Sequence, residues 1–261
     1  MKNTRFLLII GFFCLYGCFA NNAPRVVTET YDTPLDSLYL KCTDLKGIGM
    51  FELGMSWNSV INSTTLKLES WEKRTNWYSG YWGVQDSEMK NWLNDKHPEI
   101  KQFKVNVLTG YPTYKLGDIE FSELDLAFYN NKLVAVYYEF GYNVNDTEIL
   151  NHYIQKYGEG IGSYYSSYWS NGLSGDDYAC DITINDIRQW KNEKVTLQYT
   201  HDERHLSYPK KDNKRGLYLN DEYYLVYDEV GYAAFEKTLN KAKEEYKEKK
   251  NDEHSQSLNS L

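Results

Sequence analysis

The chain lacks the stretches that most readily name a chemistry. It contains no glycine-rich phosphate loop and no nucleophile-elbow motif, which removes the usual sequence marks of nucleotide enzymes and serine hydrolases. No basic stripe interleaved with aromatics stands out, and the formal net charge is −8. A phosphate backbone needs cations to displace its counterions, so nucleic acid is not an expected partner. Cysteine is scarce, with four in 261 residues, and histidine nearly so, with five. The longest apolar run, Phe6 to Cys18, covers thirteen residues, whereas a membrane-spanning helix needs about twenty.

What the chain has instead is aromatic side chains, 16 % of all residues, with 25 tyrosines and 7 tryptophans. A chain so rich in rings has apolar surface to bury, which argues for ordered, β-containing structure rather than a disordered stalk.

Lys2 and Arg5 followed by Phe6 to Cys18 form the charged and apolar parts of a secretory signal. Two exits are open. Cys18-Phe19-Ala20 offers a small-x-small cleavage site before Asn21. Leu15-Tyr16-Gly17-Cys18 resembles the lipobox of bacterial exported lipoproteins, over four residues. That resemblance implies lipid modification of Cys18 and anchoring to the membrane of a cell envelope; the soluble periplasmic or secreted form is the alternative. Loss of the signal takes two positive charges and leaves a net of −10. Cys42 and Cys180 then remain, either as one disulfide in an oxidising compartment or as two buried thiols.

The pattern predicts an α+β fold of two tandem modules, each a helix with an antiparallel hairpin or sheet, closed by a C-terminal amphipathic helix. The predicted divisions are a signal over 1–20, a linker over 21–38, modules over 39–158 and 159–250, and a disordered tail over 251–261. In outline this resembles small two-module periplasmic inhibitor or assembly-lipoprotein folds.

The organising stretch is Ala127 to Tyr142, AFYNNKLVAVYYEFGY. Asn130 and Asn131 tolerate the left-handed backbone of a two-residue type I′ turn. That turn sets Phe128 opposite Leu133, Leu126 opposite Ala135 and Leu124 opposite Tyr137, with Glu123 and Asp125 on the polar face and the second strand apolar on both faces. The stretch is echoed by Leu217 to Tyr232, LYLNDEYYLVYDEVGY, where Asn220 and Asp221 would form the matching turn. Helices are predicted after Ser56 through Ile61, around Met89, Trp92 and Leu93, from Asn145 to Gly158, and along Tyr232, Phe235, Leu239, Ala242 and Tyr246. Strands are predicted through Phe103, Val105 and Val107, through Ile182 and Ile184, and through Val195, Leu197 and Tyr199.

Candidate chemistry is thin. His201 and His205 are four apart, but Asp202 and Arg204 stand where zincin-type motifs require Glu, and the segment leaves a predicted strand. Asp176, Asp177 and Asp181 do not match an EF-hand loop. No catalytic set, cofactor or metal is therefore expected. Two segments read as aromatic loops: one contains Trp77, Tyr78, Tyr81 and Trp82, the other Tyr165, Tyr168 and Trp169. Rings with polar tips suit protein interfaces or stacking on sugars. The expectation is a non-enzymatic envelope protein that binds another protein or a surface component, with a carbohydrate-binding or glycan-processing accessory lipoprotein as the alternative. Asn62 and Asn145 also stand in glycan acceptor sequons.

The intact mass of the mature protein from its native source tests the leader. A mass matching an acylated chain starting at Cys18 is the expected outcome; one matching an unmodified start at Asn21 makes the protein a released one.

Overall fold

The computed structural model describes residues 24–63, 68–70, 82, 84, 87–105, 115–116, 119–140, 145–173, 175–208 and 216–259. Its strands are β1 (Arg25–Asp32), β2 (Gly47–Ile48), β3 (Phe51–Glu52), β4 (Leu68–Ser70), β5 (Ile100–Val105), β6 (Lys115–Leu116), β7 (Ile119–Tyr129), β8 (Lys132–Phe140), β9 (Ile161–Ser170), β10 (Cys180–Lys191), β11 (Val195–Ser207) and β12 (Leu217–Asp228). Its helices are α1 (Leu35–Lys41), α2 (Trp57–Ser63), α3 (Ser87–Lys96), α4 (Asp146–Tyr157) and α5 (Glu229–Asn259).

One ten-stranded antiparallel sheet runs through both predicted modules, in the order β1-β9-β10-β11-β12-β8-β7-β5-β4, with β6 paired to β7. The mixed α and β composition, the large antiparallel sheet and the C-terminal helix agree with the sequence reading. The predicted linker does not stay outside the fold, since β1 pairs with β9 along its whole length.

The organising hairpin forms as its sequence dictates. Asn130 and Asn131 take φ of 50° and 64°, the left-handed pair of a type I′ turn. Phe128 faces Leu133, but a bulge then moves the register by one, so Leu126 meets Val136 and Leu124 meets Tyr138. The predicted echo of this turn does not form. Asn220 and Asp221 lie inside β12, paired with Glu203 and Asp202, because β11 offers β12 a ladder of register partners from Leu206–Leu217 to Val195–Asp228. The two similar segments instead become neighbours: β8 pairs with β12, and Val136 sits opposite Val226.

Helices cover both faces of the sheet where these strands meet. On one face, Leu38 of α1 and Cys42 at its C-cap, Val60 of α2, and Tyr153 and Tyr157 of α4 close over Leu124, Leu126, Phe128, Val136 and Trp190. Much of the tyrosine content is spent here. Tyr138 and Tyr224 stack at 5.3 Å between centroids, Tyr199 and Tyr153 pack on Tyr224, and the Tyr138 and Tyr153 hydroxyls are 3.1 Å apart. On the other face, the predicted stripe Tyr232, Phe235, Leu239, Ala242 and Tyr246 of α5 packs with Met89 and Leu93 of α3 over Ile100, Ala127, Tyr137 and Leu225.

Helix α5 runs past Lys250, where a disordered tail was predicted, and reaches Asn259 with its added turns exposed. Lys249–Glu253 and Lys250–Glu253 ion pairs at 3.4 Å, with Ser255 and Ser257 donating to carbonyls four residues back, join these turns.

Burial separates the two parts of α5. Phe235 is fully buried, so Phe235→Ala is expected to cost about 3 to 5 kcal/mol. A chain ending at Lys250 loses only exposed helix and should change stability by less than about 0.5 kcal/mol. Urea unfolding of both variants checks the contrast.

Candidate functional site

The hydrophobic clusters stop at Trp190 on β10, Tyr199 on β11 and Tyr224 on β12, yet the strands continue. From Arg188 to Cys180, β10 travels about 25 Å further at a strand rise of about 3.3 Å per residue. β1, β9, β11 and β12 travel with it, and this wing carries side chains of intermediate or high exposure on both faces. Register partners share a face. One face therefore presents Tyr168, Ile182, His205 and Tyr218 across four strands, with Val27 near them; the other presents Trp169, Leu206 and Leu217, then Val26 and Leu219, then Tyr165. Among the described residues, nine of the sixteen exposed large apolar side chains belong to this wing or its end, and Tyr218 is 64 % exposed. Singly scattered exposed apolar residues are ordinary; a concentration of them marks an interaction surface.

A polar clamp holds the wing at its base. Gly162 lies between Tyr31 and Arg188 in the register. Its φ is +154°, and a Cβ there would fall 1.8 Å from the Ile187 carbonyl oxygen. With no side chain in the way, the Arg188 guanidinium lies 3.8 Å from the centre of the Tyr31 ring and donates 2.6 Å to its hydroxyl. The same guanidinium donates to Glu159 at 2.8 Å and to both oxygens of Asp186 at 3.3 Å. Burial, followed by the neighbouring Asp186, raises the Tyr31 hydroxyl to about 12, and burial raises Asp186 despite its arginine. Next to the clamp, Tyr199 donates to Glu222 at 2.7 Å. Every group in it has a partner, so the clamp reads as structure. One acceptor further out is unmet: Asp181 Oδ1, on the face with Trp169 and Leu206, is buried without a hydrogen-bond partner.

The sequence-derived site residues separate into four groups. Tyr165, Tyr168 and Trp169 belong to strand β9 rather than a loop, with Tyr165 and Tyr168 exposed and Trp169 partly so. Trp82 is 5 % exposed; its indole donates to the Tyr232 hydroxyl at 3.1 Å and packs edge-on against Phe235, which makes it a core residue. Trp77, Tyr78, Tyr81 and Cys18 lie outside the described residues. Cys42 and Cys180 are both buried and free. The Cys42 carbonyl accepts from Asn192, just past the far end of β10 from Cys180, so the strand holds the two apart by about 36 Å and the predicted bridge does not form. Burial pushes the Cys42 thiol up to about 11. His201 and His205 lie on β11 rather than on a helix, and no cluster among the described residues could hold a metal ion.

Sequence reasoning missed a second polar site, inside the sheet's helix-covered part. Glu123 and Asp125, the polar positions of the first hairpin strand, are 6 % and 0 % exposed. Lys104 reaches Glu123 at 2.8 Å, Gln102 donates to Asp125 at 3.3 Å, and Tyr137 donates to Glu139, the register partner of Glu123. The signal was the pairing of polar alternation on two strands, Gln102 and Lys104 with Glu123 and Asp125, which lets one strand satisfy the other. Burial raises Glu123 from 4.5 to about 7, with Asp125 and Glu139 adding to the rise and Lys104 opposing it. A third feature, an open hollow of about 610 Å³, is bordered by Tyr39, Leu40, Lys46, Asn192 and Lys194. Glu193 also lines it.

Comparison with family models, with curated proteins and with solved structures found no match to this chain. No described helix is long and apolar enough to cross a membrane.

The raised Glu123 group fixes the sign of a pH effect. Its stability contribution is fully present below pH 4.5, where folded and unfolded chains both hold the proton, and is lost as pH rises through about 7. The loss is on the order of 3 kcal/mol. Glu123→Gln should therefore flatten the fall in urea midpoint between pH 5 and 8, whatever it does to the midpoint itself. Parallel pH profiles for the two proteins would remove Glu123 as the cause.

Proposed function

We propose that this chain is an exported, membrane-anchored, non-enzymatic envelope protein that holds another protein or a surface component on the aromatic surface of its wing. The observation that carries this reading is the exposed set of Tyr165, Tyr168 and Tyr218 on a sheet extension that, among the described residues, has no hydrophobic cluster behind it. Large rings with polar tips give contact area at low entropy cost. The signal-like leader and the Cys18 lipobox support the location. On the same reading, β7–β8–α4 and β11–β12–α5 are tandem modules that share one sheet.

A photocrosslinking side chain at position 168 or 165, introduced in the source cells, should yield discrete adducts. One at Ile61, exposed on α2, should not. Adducts of equal yield at all three positions, or none at 165 and 168, would overturn the binding surface.

A further inference from the structure

We propose that the open edge of β1 pairs antiparallel with β1 of a second copy of this chain, with Val27 facing its own counterpart and Arg25 facing the second copy's Glu29. The inference is independent of what the wing binds.

Among the described residues, β1 ends the sheet and pairs on one side only, with β9. The Thr33 amide donates to the Gly160 carbonyl at 3.1 Å, in continuation of the Tyr31–Gly162 register. Along a strand, successive residues turn their backbone groups to opposite sides. The odd-numbered residues of β1 therefore bond to β9, and the amides and carbonyls of Val26, Thr28 and Thr30 point outward along the open edge. Such edges are commonly blunted by a lysine, a proline or a bulge. β1 contains no lysine and no proline, and its register with β9 is unbroken over eight pairs. Val26, Val27 and Thr28 are exposed and all β-branched, which favours a further strand.

The order of residues on this edge selects a second copy as the occupant. Identical strands related by a twofold axis must centre on a residue, because the axis cannot exchange a hydrogen-bonded pair with a non-hydrogen-bonded one. With Val27 at the centre, Arg25 of each copy stands directly opposite Glu29 of the other, in a non-hydrogen-bonded pair, where side chains approach most closely. Both charges are exposed. Val26 then exchanges backbone hydrogen bonds with the second copy's Thr28, and Thr28 with its Val26. The neighbouring centres match less well. Val26 at the centre sets Pro24, which has no amide, against Thr28; Thr28 sets Arg25 against Tyr31, whose buried ring already packs on Arg188 at 3.8 Å; Glu29 faces its own charge. A foreign strand would need no such self-matching. The axis stands perpendicular to the sheet, so like faces stay together and the two copies present Tyr168, the register partner of Arg25, on one side.

Sedimentation equilibrium of the full mature chain with Cys18→Ser tests the pairing. A dimer that grows with concentration is expected. Thr28→Pro removes an amide that β9 does not use, so the variant should fold and sediment as a monomer. Arg25→Glu and Glu29→Arg, made singly, should each weaken the dimer about tenfold by setting like charges opposite; together they should restore it. Val27→Cys should form an interchain disulfide on oxidation, and Ile61→Cys, exposed on α2, should not. A monomer at every concentration, a dimer indifferent to Thr28→Pro, or a double charge reversal no better than the single ones would overturn the inference. So would a monomer in which a photocrosslinking side chain at position 27 traps a different protein in the source cells, since the edge would then take that protein's strand.

Discussion

Everything in the sheet depends on a short seam. β12 and β8 share only four register pairs, from Tyr224–Tyr138 to Tyr227–Ala135. Through them the strands that come late in the chain join those of its first half. Four pairs of a bare ladder would be a weak joint. The side chains at the seam make it strong, because each of its faces is sealed by a different helix. Tyr138 and Tyr224 stack beneath α4, while Tyr137 and Leu225 lie beneath α5. Gly231, in the first turn of α5, brings that helix against β8: a Cβ there would stand 2.6 Å from Val134.

The seam also explains why the wing is free. Both helices close over the middle of the sheet, so among the described residues β9 to β12 receive cover at one end of their length. The remaining length is held by cross-strand pairing and by the Arg188 clamp, whose ring contact with Tyr31 needs the bare backbone of Gly162 between them. A single layer of sheet must then satisfy itself. Ser, Thr and Asn alternate with Ile and aromatic residues along β9 and β10, a pattern that keeps both faces compatible with water while leaving rings exposed.

Local rules made much of this legible. The Asn130-Asn131 turn, the stripe of α5 and the β10–β11 pair each depend on residues close in sequence, and each formed as read. The echo failed because a turn at Asn220 competes with a long ladder whose other half lies on β11, a partner that local reading does not weigh. The segment Ile161–Ser170 reads as a loop for a similar reason. Its Gly and Ser content is high, and only pairing on both sides, with β1 and β10, makes it a strand. Glu123 and Asp125 read only as a polar face, because alternation alone cannot tell a wet face from one covered by α3 and α5. Trp82 illustrates the converse error, in which a ring beside glycines was taken for surface although its indole had a buried partner 150 residues away.

The wing residues divide along the same line. Exposure of Tyr165 and Tyr168 followed from their abundance beyond what a turn needs, but their partners in the surface, Tyr218 and Leu219, sat within the supposed second hairpin and were invisible as a site. Register brought them together: Tyr168, Ile182, His205 and Tyr218 are consecutive partners across β9 to β12, although their positions span fifty residues of sequence. A surface assembled this way is rigid at the backbone and independent of the helix-covered core. Its side chains can change without disturbing packing, which suits a face whose role is contact rather than chemistry. The titratable groups fall the other way. Glu123 and Asp186 are enclosed and partnered, so the strongest electrostatic perturbations belong to the sheet's interior and to the base of the wing, and the open end is left with aromatic area.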